Sequence, residues 1–325
     1  MRDVARRAGV SAITVSRVLS APDKVAPETR AAVWSAVEAL GYVPNLAAGT
    51  LKSQRSRIVA AIVPTLRNAI FAETVEGMAD ALRAEGYQLL LAASGYDPAI
   101  EEASVMAFLG RQPDGLILTG IEHSDAVRAR LAAARLPVVE TWDLGASPID
   151  MLVGFSNYDA GAAITRDLAR SGYRRIAFAG TEREARAVQR RAGYRDAVRA
   201  LGMPATEVAV AAAGLSIADG ADVIARLLAE GGGADAVFFA NDYLAFGALV
   251  ECQRRGVPVP GQLAIAGFGD FEIARESLPG LTTVRIPGYA IGREAAGLVM
   301  RRLAGAAVDR RIVDLGFEIV RRASA

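Results

Sequence analysis

Three arginines, Arg183, Arg186 and Arg190, crowd one short segment of the chain. Guanidinium groups pair bidentately with carboxylate or phosphate, so this crowding points to an anionic ligand. Taken singly, Arg186 or Arg191 reads as part of a solvated helix face. Catalytic patterns are missing. There is no G-x-x-x-x-G-K-[ST] phosphate loop, and Gly267-Phe-Gly269 lacks the next glycine of a dinucleotide fingerprint. Nucleophile elbows and H-E-x-x-H are absent too. His123 and Cys252 are each the sole residue of their type, which leaves no metal cluster and no disulfide framework. The chemistry on offer is binding: no catalytic residue, no metal and no cofactor is expected, and a reducing cytoplasm fits the lone thiol.

The elements that must position this chemistry are legible from residue 58 onward. Short apolar runs at 58–63, 88–92, 115–119, 138–141, 151–155, 175–179, 236–240, 263–267 and 282–286 read as strands. Amphipathic helices are expected between them, near 71–85, 100–110, 125–134, 160–170, 187–201, 218–229, 243–255 and 291–303. Alternating β and α implies parallel sheets covered on both faces, and so many strands suit two sheets better than one. The fold class is therefore α/β, with two Rossmann-like subdomains. Ligands of open α/β sheets sit beyond the carboxyl ends of the strands. That singles out Asn68 to Phe71, Asn157 to Asp159, Arg183 to Arg190, Asn241-Asp242 and Gly269-Asp270. Asn241-Asp242 can also cap the following helix, and the two roles are compatible.

The first 57 residues read differently. Asp3 to Ala8 puts Val4, Ala5 and Ala8 on one helical stripe, and Gly9 breaks it where a positive φ is easiest. Ser11 is an N-cap for a second helix whose Val15, Val18 and Leu19 face inward. Ser11, Ala12, Ile13, Thr14, Ser16 and Arg17 are then free to meet a ligand: a helix-turn-helix, with a surface hairpin as the plainer alternative. A third helix from Pro27 to Leu40 should close a small core with Val33, Trp34, Val37 and Leu40. This region holds nine basic residues against four acidic ones, leaving 28 against 32 for the rest and a net charge of +1. A small basic head on a mildly acidic body suits a polyanion. No apolar stretch approaches the roughly 18 residues of a membrane span, and no signal peptide opens the sequence.

Asp3-Val-Ala-Arg-Arg-Ala-Gly-Val-Ser11, Thr14-Val-Ser-Arg17, Thr29-Arg30, Gly41-Tyr42, Pro44-Asn45 and Leu51 together resemble the headpiece of LacI/GalR-type bacterial repressors. The resemblance extends to the core, since that family's core is like the periplasmic sugar-binding proteins and closes on a ligand between its lobes. It implies a headpiece over 1–45 and a hinge helix over 46–57. An effector-binding and dimerisation core follows over 58–325, with an N-subdomain at about 58–171 and 287–312 and a C-subdomain at about 172–286 and 313–325. It also implies that Asn45 caps the hinge and that Leu51 wedges into the minor groove, unstacking a base step. Arg190 and Asn241 match effector-holding positions, and Phe71 and Asp159 match with them. Two departures bear on the headpiece. The family's threonine cap before Asp3 has no counterpart, so the first helix is expected to fray, and Ala26 stands where a serine usually caps the third.

The ligand class follows from further departures. Gly269 stands where sugar-binding members carry a carboxylate, with Asp270 one residue on, and a ligand-facing aromatic is replaced near Leu215. Gly86-Tyr87-Gln88, Pro137-Val-Val-Glu140, Val153-Gly-Phe155, Glu251-Cys-Gln-Arg254, Ala264-Ile-Ala-Gly-Phe268 and Asp314-Leu-Gly-Phe317 are similar to the gluconate-operon repressor subgroup. The resemblance implies a dimeric, cytoplasmic repressor on pseudopalindromic operator DNA, released by a sugar acid such as gluconate, a ketogluconate or a phosphorylated relative. Arg183, Arg190 and Asp270 join the effector candidates. No heptad tail follows Phe317-Glu-Ile-Val320, so a dimer rather than a tetramer is expected. A catabolite regulator of the same family, co-activated by a phosphoprotein, is the alternative; a transporter's solute-binding protein would need a signal peptide and no basic headpiece.

Overall fold

The computed structural model describes residues 1–43, 55–66, 69–210, 216–229 and 233–325. The chain forms two compact units, Met1–Ser56 and Arg57–Ala325. Asn45, Leu51 and the rest of the expected hinge up to residue 54, together with Asn68 and Leu215, lie outside the described residues.

In the first unit α1 spans Arg2–Ala8, α2 Ala12–Ser20 and α3 Pro27–Ala39. Gly9 ends α1 at φ 67°, the left-handed conformation a residue with a Cβ resists. Ser11 then caps α2, its Oγ accepting the Thr14 N–H at 3.1 Å. No side chain caps α1 at Met1 or α3 at Ala26, where Pro27 takes the first helical position. Val4, Ala5, Val15, Val18, Val33, Ala36 and Val37 form the core. Trp34 and Leu40, expected inside, are 47% and 41% exposed. The stripe Val33, Ala36, Val37 already fills this small valine-alanine interior. The indole lies one residue off it, and Leu40 falls beyond the last turn.

The second unit carries two six-stranded sheets. The first contains β1 (Ile58–Val63), β2 (Gln88–Ala93), β3 (Gly115–Thr119), β4 (Val138–Thr141), β5 (Met151–Gly154) and β11 (Ile312–Asp314), in the order β11-β5-β4-β3-β1-β2. All its ladders are parallel, with Val59 registered to Gly115 on one side and Leu89 on the other. The second contains β6 (Ile176–Gly180), β7 (Thr206–Ala209), β8 (Ala236–Phe239), β9 (Ala264–Gly269), β10 (Thr282–Arg285) and β12 (Glu318–Val320), in the order β12-β10-β9-β8-β6-β7. Only β12 runs antiparallel there, against β10. The central strands are buried on both faces, which is why they read as unbroken apolar runs.

The helices are α4 (Ala72–Ala84), α5 (Pro98–Leu109), α6 (Asp125–Ala133), α7 (Asn157–Arg170), α8 (Ala185–Ala200), α9 (Ile217–Ala229), α10 (Asp242–Arg255), α11 (Glu272–Glu276) and α12 (Gly288–Leu303). Two assignments of the expected subdomains change. Helix α7, placed by sequence in the 58–171 lobe, packs on the second sheet against α8. Strand β11 carries the first sheet on to Asp314, past the expected boundary at 312. The α7–α8 contact is close because glycines face it. A Cβ on Gly161 would strike the Arg190 carbonyl oxygen, and one on Gly193 would strike that of Tyr158. Among the described residues, no helix is long and apolar enough to cross a membrane.

Candidate functional site

The start of α2 is the exposed face of the headpiece. Ser11, Ala12, Ile13, Ser16 and Arg17 are exposed, while Thr14 is half-buried with its hydroxyl 2.9 Å from that of Ser11. Ile13 is 72% exposed, an unusual place for a branched apolar side chain unless something covers it. Arg2, Arg6, Arg7, Arg17 and Lys24 are exposed in the same unit and supply positive charge suited to a phosphate backbone. Ala12 and Ile13 offer methyl groups and no hydrogen bonds, which suits the thymine methyl in a major groove.

In the second unit a cleft of about 340 Å³ opens at the carboxyl ends of β1 to β4 and faces the segment after β6. Pro64, Ser94, Tyr96, Thr119, Gly120 and Asp143 line one side; Arg183, Glu184, Arg186 and Gln189 line the other. The lobes touch here through Gln189, whose Nε2 donates to Asp143 Oδ2 at 2.8 Å. The Ala69 N–H donates to the Tyr243 hydroxyl at 3.0 Å, joining them a second time.

The wall of the second lobe is ionic and largely buried. Arg186 and Arg190 are 5% and 1% exposed, and both reach Glu184 Oε1 at 3.3 Å. Arg190 also donates to Asn157 Oδ1 at 2.7 Å and lies 4.3 Å over the Phe268 ring. Arg186 stands 5.3 Å over Phe71, whose ring meets Trp142 edge-on at 4.9 Å. Burial pushes the Glu184 carboxyl up, but Arg190 and Arg186 outweigh it and hold it below the usual carboxylate range. Burial raises Asp143 and, with Glu184 beside it, the Tyr96 hydroxyl. Among the described residues, Thr119 Oγ1 and Arg190 Nε are buried without a hydrogen-bond partner.

Of the residues expected to hold an effector, Arg183 lines the cleft, and Phe71 and Arg190 back its wall through Arg186 and Glu184. The other three are engaged or placed elsewhere. Asn241 is buried and caps α10, accepting the Leu244 N–H at 2.9 Å. Asp270 is saturated by Arg285 Nε at 2.7 Å and Arg322 Nη2 at 2.6 Å. Asp159 is exposed on the first turn of α7, outside the cleft lining, and Asn157 is the member of its segment that reaches Arg190. Arg186, read singly as a solvated helix position, is instead buried in the wall. Gly269 sits at φ 132°, a conformation that strains any side chain, and a Cβ there would also meet the Phe271 ring. Sequence reasoning passed over Tyr96, Thr119 and Asp143, and took in Glu184 and Gln189 only as unnamed members of the segment Arg183 to Arg190. Applying the strand-end rule to β2, β3 and β4 as well would have found the first three.

Asp242 gives this lobe a pH signature. Its carboxylate accepts from Thr283 Oγ1 at 2.6 Å and from the Phe271 N–H at 2.9 Å, and burial raises its pKa from 3.8 to about 6. The folded state then binds this proton more tightly than the unfolded chain, so the contribution to stability falls as pH rises between those values. At about 1.4 kcal/mol per pH unit, wild type should lose about 3 kcal/mol relative to Asp242→Asn across that window. Urea unfolding of both proteins from pH 4 to 6.5 reads it; a pH-independent difference refutes the assignment.

Comparison with known proteins bears on both units. Residues 1–45 match the lacI family of bacterial regulatory proteins, and residues 165–325 match a periplasmic binding protein-like domain. The HTH-type transcriptional regulator GntR of Pseudomonas aeruginosa is 40% identical over 326 residues, covering 100% of this chain and 95% of its own. A LacI-family transcriptional regulator from Silicibacter pomeroyi superposes with a TM-score of 0.94 at 34% identity, covering 99% of this chain and 98% of that one. The transcription regulator GntR from Chromobacterium violaceum does so at 0.79 and 40% identity, over 82% of this chain and 98% of its own. Matched in both units and along its whole length, the chain belongs to the LacI family of bacterial regulatory proteins.

Proposed function

We propose that this regulator is a dimeric repressor of sugar-acid genes that leaves its operator when a gluconate-type sugar acid enters the core cleft. The observation that carries the effector class is the buried Arg186–Glu184–Arg190 wall. Sugar hydroxyls can accept from a guanidinium, but a carboxylate also matches its charge and its paired donors, and Arg186, which lines the cleft with Arg190 behind it, presents both. The opposite side, with Ser94, Thr119 and Asp143, presents acceptors and hydroxyls of the kind a polyol tail requires. The relatives named GntR support the same reading, as does the subgroup likeness of the sequence. Calorimetry on the intact protein with gluconate, ketogluconates, glucose and galactose tests it. Binding of the acids with weak or absent binding of the sugars is expected, and the reverse overturns it.

At the operator, α2 enters the major groove with Ala12 and Ile13 on base edges, and Arg17 meets phosphate or a guanine edge. Asn45 and Leu51 act beside it as hinge cap and minor-groove wedge. Ile13→Ala should weaken specific operator binding by about 1–2 kcal/mol, roughly five- to thirtyfold, with the salt dependence unchanged. Arg17→Ala should reduce the slope of log K against log salt by about 1 if it contacts phosphate. Fluorescence anisotropy at four salt concentrations separates the two. An Ile13→Ala protein with wild-type specific affinity would remove α2's apolar face from the reading.

A further inference from the structure

We propose that Glu184 fixes the charge class of the effector, restricting the cleft to ligands with one carboxylate and rejecting dianions. The inference rests on the sugar-acid reading and asks which acids qualify. Glu184 sits at the N-terminal boundary of α8, yet its side chain makes no capping hydrogen bond. It turns instead toward Arg186 and Arg190, and one oxygen, Oε1, takes both. The resulting cluster, two guanidiniums and one carboxylate, carries a single net positive charge. One ligand carboxylate neutralises it; a second anionic group finds on the lining only Arg183, which is exposed to solvent.

Two features make Glu184 a reader of charge rather than only a strut. Its contacts are 3.3 Å long, against about 2.7–2.9 Å for well-formed charge-assisted bonds, so a ligand carboxylate can compete with it for Arg186, the member of the pair that lines the cleft. Arg190 stands behind that lining, 1% exposed and with Nε unpartnered among the described residues, and its charge acts on the ligand through Glu184 and Arg186. The rest of the lining is acidic, with Asp97, Glu101, Glu122, Asp143 and Glu182 against the exposed Arg183, and Asp143 lies within electrostatic reach of Arg186. Those carboxylates can accept from hydroxyls but repel a phosphate or a second carboxylate on the ligand.

The test is a charge series read by calorimetry on the full chain, with gluconate, glucarate, 6-phosphogluconate and glucose as probes. Wild type should bind gluconate at least tenfold more tightly than either dianion. Glu184→Gln raises the cluster to two net charges, and the preference for gluconate over the dianions should fall at least tenfold. Arg186→Gln lowers it to none and should cost gluconate at least tenfold while changing glucose by less than threefold. The double variant Glu184→Gln/Arg186→Gln restores one net charge and should recover selectivity toward gluconate; it also serves if either single variant fails to fold. Acid binding with unchanged selectivity in Glu184→Gln and in the double variant overturns the assignment to Glu184. Wild-type binding of glucose without any acid overturns the effector class itself, and this inference with it.

Discussion

Replacing Arg190 by methionine should cost the core about 3–5 kcal/mol of folding free energy, the usual range when one partner of a buried ion pair is removed. The guanidinium is 1% exposed and joins three things: Glu184, Asn157 and the face of Phe268. Methionine fills much of the volume and can still pack on Phe268, so the loss is chiefly electrostatic. Glu184 keeps only Arg186 as a buried counter-ion, and Asn157 Oδ1 loses a 2.7 Å donor. Effector response should disappear as well, because the wall loses one of its two guanidiniums. Removing the stranded carboxylate as well should return part of the stability. Glu184→Gln alone should destabilise, because it leaves two buried guanidiniums without their counter-ion, yet Arg190→Met/Glu184→Gln is expected to be more stable than Arg190→Met, a sign that additive effects cannot then give. Urea unfolding, followed in the core by the buried Trp142, reads all four corners of the cycle. A single variant within 1 kcal/mol of wild type, or an additive double variant, would show that the cluster is not a coupled unit.

That network also explains what could be read from the sequence. The inner strands were legible because burial on both faces demands unbroken apolar residues, as in Gly115–Thr119. The edge strands Thr206–Ala209, Ile312–Asp314 and Glu318–Val320 are short and partly exposed, and the five-residue α11 is shorter still, so none leaves a period to detect. Asp270 looked like a ligand group because it is an acid at a strand end. Its true partners, Arg285 and Arg322, lie 15 and 52 residues away and meet it only through the fold. Arg186 failed in the opposite direction. Its type and helical position suggested a solvated face, but the facing lobe, which supplies Phe71 and Tyr96, buries it. Trp34 shows the same limit in the headpiece, where periodicity named the helix face but not the space behind it.

Gly161→Ala should remove effector response while leaving the headpiece intact, because the added methyl falls on the backbone of Arg190 itself. Carbonyl oxygen, carbonyl carbon and Cα of Arg190 all lie within collision range of that Cβ, and backbone cannot rotate aside as a side chain can. The only relief is to move α8 away from α7. That shift carries Arg190 from Asn157 and from Phe268, while Gly193 on the same interface permits no compensating slide, being closed against Tyr158. Overpacking of this kind costs about 1–3 kcal/mol. A displacement near 1 Å at a positioning residue can cost on the order of a hundredfold in function, so binding should suffer more than folding. Gly110→Ala is the matched control: its φ is −63° and the nearest atoms to an added Cβ are 3.5 Å away, ordinary contact. The control should melt within a degree or two of wild type and bind gluconate normally. Gly161→Ala should retain operator binding yet fail to release with gluconate. Wild-type release by that variant would mean that α7 and α8 can part without disturbing the arginine wall, and the cleft would then owe its geometry to other contacts.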